Sequence, residues 1–411
     1  MRLWITAALL IGSLVVLFVA AGCNTKNPGK DATPPSQMTP PITAAVTEKP
    51  VFVGNDACRE CHASACKAHS VSRHNLTLLA ADSKSLGELA PPIGPIRGTP
   101  YVVARQGDKL MFGLASNPRF RQPLDVAFGS GKTGITFASF VHSDSDPSVD
   151  TEGLLRVRMS WFPHTRKWLV TPGDEKLRPR DAPTSLTGKR GRGCLECHVS
   201  TLDEVSIVPE KRSYGVGCEA CHGPGSAHIA AARIKGTADL KIQRLTTLSA
   251  NKLSELCGKC HGTPETVKRT PGVQISVKEA GLHPPAGLAD SACFKKSGGK
   301  ISCLTCHASH DNVRNDSASY EAVCLSCHAG PRNTVTNAGR VLNAHELDEI
   351  KSAAPIRSKP CPVNPSGHCL PCHMPSEKVF LGGGLATDHC IRKKRPKTTP
   401  EMGSTDSSMN K

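Results

Sequence analysis

The chain has 411 residues, with 51 Lys and Arg against 35 Asp and Glu, a formal net charge of +16. It holds 19 Cys and 17 His but only three Trp, three Tyr and ten Phe. So many cysteines exclude an ordinary cytosolic enzyme, and so few aromatics exclude a conventional apolar core over the whole length.

At the N-terminus, Arg2 precedes an apolar run from Leu3 to Ala21, followed by Gly22 and Cys23. A charged start, an apolar stretch and small residues predict export. Ala20-Ala21-Gly22-Cys23 resembles a bacterial lipobox, so residues 1–23 are read as a lipoprotein signal with Cys23 lipidated. An uncleaved membrane helix is the alternative, and either places the remainder outside the cytoplasm. Residues 24–50 are rich in Pro, Thr, Ala and Lys and predict a disordered tether.

Residues 51–81 carry the first copy of a motif that recurs. From 82 to 189 no copy occurs. Short β-branched or alternating runs take its place: Tyr101–Ala104, Lys109–Phe112, Thr133–Val141, Leu154–Trp161 and Lys167–Val170. Gly, Asn, Asp and Pro clusters separate them, which predicts a small antiparallel β insert. Residues 190–392 hold six more copies, about 30 residues apiece, too little chain for each to bury a core of its own. Residues 393–411 are read as a disordered basic tail.

The motif is Cys-x-x-Cys-His, present as Cys58/Cys61/His62, Cys194/Cys197/His198, Cys218/Cys221/His222, Cys257/Cys260/His261, Cys303/Cys306/His307, Cys324/Cys327/His328 and Cys369/Cys372/His373. This is the attachment signature of c-type haem: the two thiols bond the porphyrin and the imidazole reaches the iron from one face. Structural zinc also uses Cys-x-x-Cys, but does not require His next in line. With His at 17 of 411 residues, seven such coincidences have a chance of roughly one in ten billion. Seven covalently bound haem c groups are therefore expected, with short helices and loops wrapped around stacked haems. Haem propionates nearly cancel the positive excess, so the Lys and Arg are read as their partners and as a solvated face, with no role in nucleic-acid binding.

Several segments resemble the multihaem cytochrome c-552/4 family: Ser72-Arg73-His74, the run from Cys218 to His228, the run from Ser302 to His310, the run from Cys369 to Pro375, and Thr387-Asp388-His389. The likeness covers residues 51–80 and roughly 190–392. It implies periplasmic electron transfer through stacked haems, mostly with two His per iron, and names no substrate.

Ten His lie outside the motifs, enough for a second ligand at every iron. The resemblance singles out His74, His228, His310 and His389 as distal ligands. His142, His164, His283 and His345 remain candidates, His69 and His368 are expected to be bystanders, and Met111 or Met159 is the alternative at one iron. His310 follows His307 by three residues and cannot reach the opposite face of the same iron, so it is expected to ligate a neighbouring haem. The same holds for His228 after His222.

Four cysteines remain after the motifs and Cys23: Cys66, Cys293, Cys361 and Cys390. Two disulfides are expected in an oxidising compartment, with three pairings open. The family resemblance favours Cys293–Cys361 and Cys66–Cys390. The functional expectation is an electron carrier working between the membrane, through its lipid anchor, and periplasmic or surface redox proteins or a quinol-linked donor. The alternative is an oxidoreductase acting on a small nitrogen or sulfur compound at one haem with an open distal face.

Overall fold

The structure, a computed structural model, describes residues 49–119, 121–141, 152–174, 176, 183–267, 275–328, 361, 363–364, 366–379 and 384–392. The export segment with Cys23, the tether up to 48, His142, His345 and the tail 393–411 lie outside the described residues.

The β insert is more extensive than the sequence suggests, and it begins earlier. Among the described residues ten strands run from Leu78 to Thr187, where five were expected. They are β1 (Leu78–Ala80), β2 (Gly94–Pro95), β3 (Tyr101–Gln106), β4 (Lys109–Leu114), β5 (Arg121–Pro123), β6 (Val126–Phe128), β7 (Ile135–Val141), β8 (Gly153–Phe162), β9 (Lys167–Val170) and β10 (Thr184–Thr187). One sheet has the order β1-β6-β7-β8-β10 with β9 also on β8, and a second has the order β2-β3-β4-β5; every pairing is antiparallel. The strands that sequence reading missed are mostly two to four residues long, too short to show an alternating pattern. Between β3 and β4 the chain turns at Gly107-Asp108, where Gly107 takes φ +58, a conformation that favours glycine in tight hairpins.

Alternation along these strands explains how the larger sheet is covered on both faces. Ala127, Phe137 and Trp161 point into a cluster shared with Ile96, Tyr101, Val103, Leu110 and Phe112 of the smaller sheet. Their neighbours Leu78, Val126, Ala138 and Leu154 face the other way and pack against Leu195, Val199 and Ile207. Nine of the sixteen aromatic residues fall between Tyr101 and Trp168, and only four lie beyond residue 190. The scarce aromatics are thus concentrated where a conventional core exists. Met111 and Met159 are buried in this insert, Met159 within its aromatic cluster, and there they serve as core.

Beyond the insert the described chain is short helices and loops. The longest helices, Ala250–His261 and Ser317–His328, have 12 residues each. A two-stranded hairpin, β11 (Ser376–Lys378) with β12 (Leu385–Thr387), follows the seventh motif.

Candidate haem sites

Each motif sits on or against one helical turn. The cysteines fall in or beside the helices Asn55–Arg59, Lys189–Glu196, Cys218–His222, Ala250–His261, Cys303–Cys306, Ser317–His328 and Leu370–His373. Residues i, i+3 and i+4 of a helix share one face, so both thiols and the imidazole project the same way. The turn is closed by the backbone N–H of His62, His307 and His373 donating to the carbonyl of the first motif cysteine, at 2.9, 3.0 and 3.0 Å. Helix Ala250–His261 shows how the sequence sets these limits: the Ser249 side chain caps its start, and Gly262 at φ +75 ends it immediately after the motif.

The fourteen motif cysteines differ in exposure. Cys61, Cys260 and Cys372 are exposed, whereas the other eleven are half-buried. All three are the second cysteine of their motif. Cys61 lies just past the end of helix Asn55–Arg59, with Arg59, Glu60 and His62 exposed around it. Cys372 lies on the single turn Leu370–His373, next to exposed Pro371.

The imidazoles are oriented by their other nitrogen. Nδ1 of His198, His222 and His373 contacts the carbonyls of Thr77, Gln243 and Arg392 at 2.9, 2.8 and 2.6 Å. Nδ1 of His228 and His389 does the same with Leu240 and Thr387, at 2.8 and 2.7 Å. A proton held on Nδ1 by a carbonyl leaves the Nε2 lone pair for a metal, the usual outer-sphere arrangement of a ligating histidine. Burial, together with the neighbouring His389 and His261, pushes His307 down to about 4. Burial also lowers His74, His198, His261, His310, His328 and His389, so these rings favour the neutral, ligand-competent form.

Imidazoles also meet in pairs. His62 and His228 have ring centres 6.1 Å apart, His222 and His310 6.1 Å, His74 and His261 6.1 Å, and His307 and His389 6.3 Å. Two imidazoles on opposite faces of one metal ion place their ring centres about 6 Å apart, from ~2 Å of metal–nitrogen bond and ~1 Å of ring on each side. Each pair joins one motif histidine to one of the four distal histidines that the resemblance implied, and never within one motif. Among the described residues, by contrast, no three His, Cys, Asp or Glu converge as a closed metal site would require. The donor set therefore fits c-type haem.

The other sequence candidates are placed as follows. His164 is exposed on the turn between β8 and β9, and His368 is exposed ahead of the seventh motif. His283 packs over Gly262, next to His261. His69, expected to be a bystander, is buried at 8% exposure, with its ring 6.5 Å from His310. It lies on the inner face of helix Ala63–Ser70, which turns it into the imidazole cluster.

Neither expected disulfide is present, because Cys66, Cys293, Cys361 and Cys390 are free thiols. Cys66 interacts with Cys58 and Cys218, Cys293 with Cys306, Cys324 and Cys327, and Cys361 with Cys369. Cys390 is buried beside Asp388 and Arg392. Each leftover thiol thus sits against motif cysteines or a buried ion pair, and not against its expected partner.

Sequence reading missed the carboxylates that join the motifs. Glu219, inside the third motif and 5% exposed, accepts from the backbone N–H of Val53, Gly54 and Gly225 at 2.9, 2.7 and 2.7 Å. Glu321, on the sixth-motif helix, accepts from the N–H of His368 and Cys369 at 2.9 and 3.0 Å. Asp388, fully buried, accepts from Arg392, which also donates to the carbonyl of Ile275. A carboxylate inside a motif was the available signal for Glu219, while the other two depend on contacts distant in sequence. Tyr320 was also missed: its ring meets His307 edge-on at 5.8 Å, and its hydroxyl bonds the Arg314 backbone.

Comparison with known proteins agrees with this chemistry. A family model described as "Cytochrome c554 and c-prime" matches residues 163–223, which span the second and third motifs and the end of the β insert. The multiheme cytochrome MtrA of Shewanella baltica (strain OS185) is 28% identical over 185 residues, covering 40% of this chain and 46% of the relative. The chain thus spans under half the length of that curated relative. Among solved structures, the outer cell wall cytochrome OcwA is similar at a TM-score of 0.45 and 16% identity, over 83% of this chain and 79% of that one. The undecaheme cytochrome from the S-layer of Carboxydothermus ferrireducens is similar at 0.41 and 16%, over 84% and 53%. The matched family segment contains the second and third attachment motifs, and the chain is similar to multihaem c-type cytochromes.

Proposed function

We propose that the protein is a heptahaem electron carrier whose irons are held largely by two histidines each. The observation that carries this reading is the set of four imidazole pairs at 6.1–6.3 Å, each linking different segments of the chain. Covalent haem would supply a one-electron couple with little change in bonding, and the motif histidines together with His74, His228, His310 and His389 are the residues that would hold its iron. The chain's own residues hold the ring orientations through Nδ1 and shelter most of the motif cysteines from water. Glu219 and Glu321 fix neighbouring motifs at set positions. An electron accepted from a reduced redox protein or quinol-linked donor at one end leaves to an oxidised partner at another, with nothing else consumed. We further propose export and lipidation at Cys23, which would tether this carrier to a membrane. Among the described residues no helix is long and apolar enough to cross one.

Intact mass of the mature protein tests the count: seven haem units above the polypeptide and lipid are expected, and any other number rejects the heptahaem reading. An EPR spectrum of the oxidised protein tests the carrier. Low-spin signals throughout support it, and a high-spin ferric haem in the unmodified protein would favour the oxidoreductase alternative.

A further inference from the structure

We infer that Glu219, although it belongs to the third motif, is a positioning residue for the iron of the first: it holds in register the two segments that carry His62 and His228. This deepens the carrier reading and rests on it.

The carboxylate divides its oxygens between those segments. Oε2 accepts from the N–H of Gly54 at 2.7 Å and of Val53 at 3.1 Å, just ahead of helix Asn55–Arg59, which holds Cys58 and leads into His62. Oε1 accepts from the N–H of Gly225 at 2.7 Å, just ahead of helix Ser226–Ala232, which carries His228. The first N–H groups of a helix have no partner within it, so an acceptor placed there fixes where the helix starts. Both helices therefore start from one side chain, and their imidazoles meet 6.1 Å apart with ring planes at 23°. A second, more exposed join lies beside it: the Val51 N–H donates to Ser226 Oγ at 2.8 Å, and the Ser226 N–H to the Val51 carbonyl at 3.3 Å. The fit is close, because a Cβ on Gly225 would come within 2.9 Å of Val53 Cγ2 and 3.2 Å of Glu219 Oε1.

Glu219 is 5% exposed, and among the described residues its hydrogen bonds all come from backbone N–H groups. A carboxylate suits this place because it accepts on both oxygens and donates on neither. An amide does not. Whichever way a glutamine is turned, its NH2 faces the N–H of either Gly54 or Gly225. Glu219→Gln thus keeps the shape yet releases one of the two helices, at the loss of a hydrogen bond to a charged group.

The test is an EPR spectrum of the oxidised holoprotein, with carbon monoxide binding to the reduced form. Glu219→Gln should keep seven haems and turn the first-motif haem partly high-spin, with carbon monoxide binding there roughly ten- to a hundredfold faster. Adding Cys58→Ala with Cys61→Ala, which deletes that haem, should abolish the high-spin signal and so assign it. Ser226→Ala loses only the exposed join, so it should give a weaker change at the same haem, and it decides the matter if Glu219→Gln does not fold. A residue that merely stabilised the fold would leave every iron of the folded protein low-spin. His228→Ala separates this inference from the reading beneath it. If His228→Ala opens the first haem while Glu219→Gln and Ser226→Ala stay low-spin, the inference is overturned and the ligation stands. A high-spin signal that survives deletion of the first haem overturns it too. If His228→Ala itself stays low-spin with seven haems, the ligation reading fails and the inference falls with it.

Discussion

The C-terminal arm gives the sharpest test of how this chain holds an iron ligand. Asp388 is fully buried and Arg392 is 7% exposed, and their ion pair brackets His389 in sequence. Arg392 also donates to Ile275, its N–H donates to the His373 carbonyl at 3.0 Å, and the Asp388 N–H donates to Pro375 at 2.9 Å. Replacing Asp388 with Asn keeps the shape but leaves a guanidinium buried without its counter-charge. Removing one partner of a buried pair costs about 3–5 kcal/mol. At 1.4 kcal/mol per tenfold, the arm should open about a hundred- to several thousand-fold more often. Because His389 rides on that arm, the haem at the fifth motif should turn partly high-spin. Carbon monoxide should then bind the reduced protein faster by a similar factor, with the haem count unchanged. An Asp388→Asn protein that stays low-spin, with unchanged carbon monoxide kinetics, would refute the claim that this ion pair holds the ligand.

Three further outcomes follow from the same geometry. His228→Ala should leave every haem attached while one becomes high-spin, and an unaltered low-spin spectrum would show that His228 is no ligand. Leu195→Ala should destabilise the protein by about 2–5 kcal/mol in denaturant titrations, because it empties a fully buried site between sheet and motif helix; a loss under about 1 kcal/mol would mean that contact is loosely packed. Alkylation of the denatured protein without reductant should label Cys66, Cys293, Cys361 and Cys390, and any disulfide-linked peptide among them would contradict the free thiols of the structure.

Haem chemistry was legible in the sequence because it is encoded locally. A cysteine pair and a histidine at i, i+3 and i+4 need only one helical turn to act together, so the motif is visible before any fold is known. How far each motif is sheltered was not legible, since Cys61 and Cys372 read the same as their half-buried counterparts and differ only in what packs around them. The longer strands were legible because Ile135–Val141 and Gly153–Phe162 run far enough to show their patterning. Two-residue β2 and three-residue β1 and β6 exist only through their partners, and no local pattern announces them. Tertiary structure alone decided which imidazole faces which. His74 meets His261 and His307 meets His389 across 187 and 82 residues of chain, and spacing carries no information over such distances. The same holds for the leftover cysteines, where resemblance suggested staples and packing set each thiol beside other neighbours. A one-turn motif specifies its chemistry by itself. Which remote segments lie beside one another depends on how buried carboxylates such as Glu219 and Glu321 and the apolar faces join them, which only the folded chain decides.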